Sequence, residues 1–76
     1  MIKQLKEALI AAGWELGFND KEYLSAYNGT LSLRAYKGGM YSEVMVHHRA
    51  KQLLSVSDTE GGDINLTEVL EYIKLT

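Results

Sequence analysis

Two adjacent histidines, His47 and His48, come nearest in this sequence to a metal-binding pair. They end a run of alternating apolar and polar residues, which predicts a β-strand, and neighbouring strand residues point to opposite faces of a sheet. The two imidazoles therefore cannot bind one ion together, and no further ligand set accompanies them. The chain also contains no cysteine, which excludes disulfides, zinc–thiolate sites and thiol catalysis. With no ligand set found, we expect neither a metal nor any other cofactor.

An acidic stretch at residues 58–63 is similar in composition to a calcium-binding loop. Such a loop needs glycine at its sixth position and glutamate at its twelfth. Those positions are Asp63 and Val69 here. The stretch is therefore predicted to be a solvated turn before a helix.

The sequence also gives no support for a phosphate-binding loop or for a catalytic nucleophile. Lys37-Gly38-Gly39 lacks the following helix that completes a phosphate site, so these residues favour an ordinary hairpin turn. No serine has a spacing that would bring a histidine and a carboxylate to its hydroxyl; the serines considered are Ser25, Ser32, Ser42, Ser55 and Ser57. We therefore expect that the protein is not an enzyme.

Tyrosines are the remaining residues whose type and placement suggest a function. When the predicted strands are drawn, most tyrosines share one face with an arginine and a methionine, and these residue types are enriched at protein interfaces. We expect this outer face to carry Tyr23, Tyr27, Arg34, Tyr36, Tyr41, Glu43, Met45 and His47. The alternative is an ordinary solvated sheet surface, since tyrosine is a good strand former.

The elements that would position this face begin with an amphipathic helix. Apolar residues recur along one side of it at helical spacing: Ile2, Leu5, Leu9 and Ala12. Gly13 is a natural stop, and the period then changes to two, which predicts a half-buried strand with Trp14, Leu16 and Phe18 on one side. In the alternative, the helix continues to Leu16 and Gly17 caps it.

Two glycine-containing turns predict the register of the central strands. The dipeptide at residues 28–29 favours a two-residue turn that pairs Leu24 with Leu33. The dipeptide at 38–39 favours another, which pairs Leu33 with Val44. In both registers the apolar residues share one face, as a half-buried sheet requires.

The last strand and the closing helix follow from the remaining residues. A looser turn at 49–51 leads to a strand at 52–57, in which Val56 lies opposite Val44 and Leu53 points outward. Asn65 and Glu68 fit a capping box, in which the Asn65 side chain accepts a hydrogen bond from the Glu68 amide. The helix then carries an apolar stripe of Leu66, Val69, Leu70 and Ile73.

This order of elements predicts an α+β fold with a helix, an antiparallel meander of four or five strands and a second helix. Each helix has one apolar stripe to bury, and the sheet offers one strongly apolar face. Both helices should therefore lie on that face in a two-layer sandwich, which leaves the tyrosine-bearing face open to solvent.

Length and composition restrict the classes of protein. A chain of 76 residues allows one domain, residues 1–76, and its 46% hydrophobic residues argue against disorder. No apolar run is long enough to span a membrane, and the charged first residues are unlike a signal peptide. We expect a soluble, cytoplasmic protein without a membrane partner. An exposed Ile10 and an outward Leu53 leave a homodimer open.

Charge favours a protein over a nucleic acid as the partner. The formal net charge is -2, and the basic residues are divided between the two ends of the predicted sheet. We expect a noncatalytic protein-binding module, in its sharpest form a small acidic inhibitor or accessory protein of the phage or mobile-element type that acts on a nucleic-acid-handling host complex. The alternative is a single-stranded nucleic-acid-binding domain that uses the tyrosines and Arg34.

The expected contact surface combines the sheet face with the acidic stretch. The face measures roughly 400 Å², about half of the roughly 800 Å² that each partner of a standard interface contributes. Acidic residues of the loop would therefore complete the contact. The residues expected to bind the partner are Tyr23, Arg34, Tyr36, Tyr41, Met45, Asp58, Glu60 and Asp63.

Overall fold

The computed structural model describes residues 1–59 and 64–76, which form one five-stranded antiparallel sheet and two helices. The elements are α1 (Ile2–Ala11), β1 (Glu15–Asn19), β2 (Tyr23–Asn28), β3 (Leu31–Lys37), β4 (Ser42–His48), β5 (Lys51–Asp58) and α2 (Thr67–Leu75). The strands lie in the sheet in their sequence order, β1-β2-β3-β4-β5. The predicted α+β class with an antiparallel sheet is confirmed.

A left-handed glycine ends α1. Gly13 has a φ of 84°, its amide donates to the Ile10 carbonyl at 3.1 Å, and the Trp14 amide donates to the Leu9 carbonyl at 2.9 Å. These bonds form a Schellman motif, which satisfies the last carbonyls of a helix. Because β1 then starts at Glu15, the prediction of a strand is confirmed and the alternative of a longer helix is wrong.

The core is one cluster built from both helices and from one face of the sheet, which we call the inner face. The fully buried residues of the cluster are Leu5, Leu9, Leu24, Ala26, Leu33, Ala35, Val44, Val46 and Val69, and Ile73 is only 1% exposed. The predicted helical stripes are therefore the buried sides of α1 and α2. Strand residues that alternate with these lie on the opposite, outer face.

The registers of the central strands differ from the predicted ones by two residues. Leu24 lies opposite Ala35 instead of Leu33, and Leu33 lies opposite Val46 instead of Val44. Side chains alternate with a period of two along a strand. A shift of two residues therefore leaves every side chain on its predicted face.

The two turns explain the shift. Gly29 has a φ of 61°, while Asn28 lies opposite Leu31, so Gly29 and Thr30 form the centre of the first turn. Glycine at the first central position is the pattern of a type II′ turn. The second connection is a longer loop, residues 38–41, in which the Gly38 amide donates to the Tyr41 carbonyl at 2.7 Å.

The pairing of β4 with β5 agrees with the prediction. Val44 lies opposite Val56, and the register shifts by one residue between Val46 and His47, where Leu53 has no partner. Leu53 is 41% exposed, as expected for an outward residue.

The start of α2 differs from the predicted capping box. The Oδ1 atom of Asn65 accepts a hydrogen bond from the Thr67 amide at 3.0 Å, and no side chain caps the helix, which begins at Thr67. Asn65 therefore forms a local turn two residues before the helix, as asparagine often does, instead of reaching the Glu68 amide.

Candidate functional site

The outer face presents its side chains in three rows that cross β2, β3 and β4. Residues directly opposite each other share a face, so each row follows from the register. The first row is Tyr23, Tyr36 and Glu43, the second is Ser25, Arg34 and Met45, and the third is Tyr27, Ser32 and His47.

Two pairs of contacting aromatic rings lie at the first row. The Phe18 and Tyr23 rings meet edge to face, with centroids 5.4 Å apart and planes at 69°. The Tyr36 and Tyr41 rings are tilted by 39°, with centroids 6.4 Å apart, and Tyr23 lies opposite Tyr36. We call Phe18, Tyr23, Tyr36 and Tyr41 the aromatic row.

Phe18 joins this row because of a bulge in β1. The pairing of β1 with β2 shifts between Leu16 and Asn19, and the Phe18 amide donates to the Oγ atom of Ser25 at 2.7 Å. The predicted placement of Phe18 on the side of Trp14 and Leu16 is therefore wrong, and its side chain is 55% exposed. Sequence reasoning missed this aromatic residue, although a glycine inside a strand pattern signals a bulge.

Gly17 leaves room for a ring of the third row. A Cβ atom built on Gly17 would lie 2.6 Å from Cε2 of Tyr27 and 2.7 Å from Oγ of Ser25. Both distances are shorter than real Cβ contacts, so a side chain at this position would have to displace Tyr27 or Ser25. The absence of a side chain thus lets the Tyr27 ring lie across β1.

A hydrogen bond holds the Tyr41 side chain beside β4. Tyr41 belongs to the loop between β3 and β4 rather than to a strand, but its hydroxyl donates to Oε2 of Glu43 at 2.6 Å. This hydrogen bond, followed by slight burial and the negative charge of Glu43, raises the pKa of Tyr41 above 10.0. The neutral hydroxyl is therefore the favoured form.

A shallow depression of about 200 Å³ lies between the first two rows; it is lined by Tyr23, Arg34, Ala35, Tyr36, Glu43 and Met45. The structure therefore brings together most of the residues predicted to bind a partner. Arg34 is exposed and forms no ion pair with the residues that the structure describes. Its guanidinium is available to a partner.

Of the three acidic residues predicted to bind the partner, Asp58 is described by the structure, and it does not lie with the aromatic row. Asp58 lies opposite Ser42, and this pair belongs to the inner face because Asp58 is two residues from Val56 and Ser42 is two residues from Val44. Glu60 and Asp63, which were also predicted to bind the partner, lie outside the described residues.

The rest of the described surface has two grooves, and no cluster of metal-binding side chains is found among the described residues. Two larger grooves, of about 470 and 460 Å³, lie beside α1 and between the helices. His47 lies opposite Ser32 on the outer face, and no three metal-binding side chains come together within residues 1–59 and 64–76. In this part of the chain, neither helix is long and apolar enough to cross a membrane.

Comparisons with known proteins add no relative. No protein-family model matches the chain, and neither a curated protein nor a solved structure matches it. A function must therefore be argued from the residues of this chain.

Proposed function

We propose that this chain is a noncatalytic protein-binding module whose outer sheet face is the binding surface, with the aromatic row at its centre. One observation carries the proposal: two pairs of contacting aromatic rings lie on one face on adjacent strands, beside a depression that is lined by Arg34 and Met45. Tyrosine, arginine and methionine are enriched in protein interfaces, and buried aromatic anchors dominate their energetics.

The proposal includes the position of the helices. In it, α1 and α2 both cover the inner face as the second layer of a two-layer sandwich, and the outer face stays open for a partner. Its support is that Leu9 of α1 and Val69 of α2 are fully buried in the same cluster as Leu33 and Val46 of the central strands.

The aromatic row suits binding because its rings are already ordered. Tyr36 is 42% exposed and Tyr41 39% exposed, so each ring has free surface to bury but is held by neighbours. The Tyr41 hydroxyl is fixed by Glu43. A side chain ordered before binding loses little conformational entropy when the partner arrives.

Charge supports a basic surface as the partner. The chain has a formal net charge of -2, and Glu15 and Glu43 share the outer face with Arg34. An acidic surface binds a basic patch with favourable long-range attraction. The sharpest form of the proposal is a small acidic inhibitor or accessory protein, of the phage or mobile-element type, that acts on a nucleic-acid-handling host complex.

A second candidate is a domain that binds single-stranded nucleic acid. Its support is the position of Arg34 next to Tyr23 and Tyr36, since bases stack on rings while arginine contacts phosphate. Against this candidate, Glu43 lies in the same row as Tyr23 and Tyr36, and its negative charge would repel phosphates. We therefore prefer the protein partner.

The test compares capture of proteins from an extract of the native host by wild-type protein and by a Tyr36→Ala, Tyr41→Ala double variant. The matched control is Tyr27→Ala, because Tyr27 lies on the same face with 46% exposure but in the third row. We expect one partner to bind wild type, to lose at most a few-fold in affinity for the Tyr27 control at the rim of the face, and to lose about 30-fold or more for the double variant at its centre. Full binding by a folded double variant would contradict the proposal.

The nucleic-acid alternative is tested separately with labelled single-stranded oligonucleotides. Fluorescence anisotropy is measured at about 50 and about 200 mM salt, where binding through phosphates weakens steeply. We expect no binding at either salt concentration. Salt-sensitive binding that Arg34→Ala abolishes would favour the alternative instead.

A further inference from the structure

The outer edge of β5 is long, and it is regular from Leu54 to Asp58. β5 has 8 residues, Lys51–Asp58, and no other described strand pairs with its outer edge. Charge is confined to its two ends, residues 52–57 are uncharged, and the chain contains no proline. Natural edge strands are usually protected by charges, prolines or bulges, since their free amides and carbonyls attract another strand.

The opposite edge of the sheet shows such protection. β1 has only 5 residues and contains the bulge between Leu16 and Asn19. It also carries a charged residue, Glu15. In β5, by contrast, the bulge lies at Leu53, and residues 54–58 pair regularly with β4.

Apolar side chains of β5 are incompletely covered. Leu54 and Val56 lie on the inner face opposite Val46 and Val44, yet they are only partly buried, whereas the two valines are fully buried. A depression of about 260 Å³ lies beside Val56; it is lined by Ser55, Val56, Asn65, Thr67 and Glu68. This volume leaves room for an incoming side chain.

We propose that a second copy of this chain binds here, with β5 paired antiparallel to β5 of the other copy around a twofold axis. In this pairing Ser55 lies opposite Ser55 of the second copy. Leu54 then lies opposite Val56 of the second copy on the inner face, and each Leu54 enters the depression beside the opposing Val56. The same surface serves both copies, as a twofold interface requires.

Charge selects the antiparallel orientation and the second copy as occupant. Antiparallel pairing brings the Lys51 end of one β5 beside the Asp58 end of the other, where opposite charges attract. Parallel pairing would place like charges together. The charges at the two ends of β5 are thus complementary when two copies pair antiparallel.

The dimer would also enlarge the proposed binding face. Two five-stranded sheets joined through β5 form one continuous sheet, and the outer face grows from roughly 400 to roughly 800 Å², the contribution expected of one partner in a standard interface. This consequence rests on the proposed function, whereas the dimer itself does not.

The test measures mass by sedimentation of the full chain, without any partner, up to about 1 mM. We expect the wild-type mass to rise with concentration from 8.5 kDa to twice that value. Ser55→Lys and Ser55→Glu should each remain monomeric, since like charges meet across the axis. An equimolar mixture of the two variants should form a dimer again, which shows that both variants are folded.

The matched control is Ser32→Lys, which adds the same charge on the same face but in the middle of the sheet. It should dimerise like wild type. A wild-type mass that stays at 8.5 kDa at every concentration would overturn the proposal. So would a dimer that both Ser55 variants retain. Neither result affects the capture experiment with the Tyr36→Ala, Tyr41→Ala double variant. Failure of the dimer and failure of the proposed function are therefore distinguishable.

Discussion

At the residue scale, the bond between Tyr41 and Glu43 links the β3–β4 loop to the outer face and makes the loop sensitive to pH. The hydroxyl of Tyr41 donates to the Glu43 carboxylate at 2.6 Å, which raises the pKa of Tyr41 above its ordinary 10.0. The folded chain therefore holds this proton more tightly than the unfolded chain does. Its contribution to stability is present below about pH 10 and is lost as the pH rises through the raised pKa of the folded state.

We predict that Glu43→Gln lowers the pKa of Tyr41 towards 10.0, because the substitution weakens the hydrogen bond that the carboxylate accepts from the Tyr41 hydroxyl and removes the negative charge that disfavours tyrosinate. Ultraviolet titration of tyrosinate, with Tyr41→Phe as the reference that identifies the Tyr41 signal, measures the change. Glu15→Gln is the control, since Glu15 lies opposite Tyr27 at the other end of the face. A Tyr41 pKa that Glu43→Gln does not change would show that Glu43 is not its cause.

Arg49 holds an unfavourable backbone conformation in the β4–β5 turn. Its φ of 57° lies in the left-handed region, which costs a residue with a Cβ atom about 1–2 kcal/mol. Glycine adopts this conformation without that cost, but it also gives the unfolded chain more conformational entropy, which offsets part of the gain. We predict that Arg49→Gly stabilises the protein by up to about 1 kcal/mol.

Urea unfolding checks this gain as a higher midpoint with an unchanged slope. Ala50→Gly is the control, because Ala50 does not have a positive φ and glycine there should destabilise the protein by about 0.5 kcal/mol. A destabilised Arg49→Gly variant would mean that the arginine side chain contributes more than its backbone conformation costs.

At the element scale, the bulge of β1 depends on one buried hydroxyl. Ser25 is 6% exposed, and its Oγ atom accepts the Phe18 amide hydrogen bond. We predict that Ser25→Ala destabilises the protein by about 1–2 kcal/mol, since the amide then lacks its acceptor. Faster hydrogen exchange of the Phe18 amide should accompany the loss.

The control for this bulge is Ser57→Ala. Ser57 is exposed on the outer face and should tolerate alanine within about 0.5 kcal/mol. Equal stabilities of the two variants, or unchanged exchange at Phe18, would show that the bulge does not need the hydroxyl.

The same elements show why the fold was easier to predict than its details. The periods of α1 and of β2 to β5 depend on local alternation, so the faces were predicted correctly even though two registers were off by two residues. The predicted turn has Asn28 and Gly29 at its centre, both with a positive φ, whereas Gly29 has a positive φ and Asn28 does not, so the turn lies one residue further along the chain. The position of Phe18 depends on a long-range acceptor, Ser25, which local periodicity cannot reveal.

At the scale of the whole molecule, a chain this small depends on a few central side chains. A stability of about 0.05–0.15 kcal/mol per residue corresponds to roughly 4–11 kcal/mol for a chain of this length. Leu33 lies in the middle strand, opposite Ala26 and Val46, and is fully buried. Because Leu33 has no exposed surface, a cavity left by a smaller side chain at this position would be closed to solvent.

We therefore predict that Leu33→Ala destabilises the protein by about 2–5 kcal/mol, through lost burial and a residual cavity. This amounts to a large share of the total, so the variant should be partly unfolded near physiological temperature and should lose any partner binding indirectly. Calorimetry or urea unfolding measures the loss, with Leu75→Ala, whose side chain is 87% exposed, as the control that should change little. A Leu33→Ala loss below about 1 kcal/mol would mean that the sheet and helices do not share the single core on which the open outer face depends.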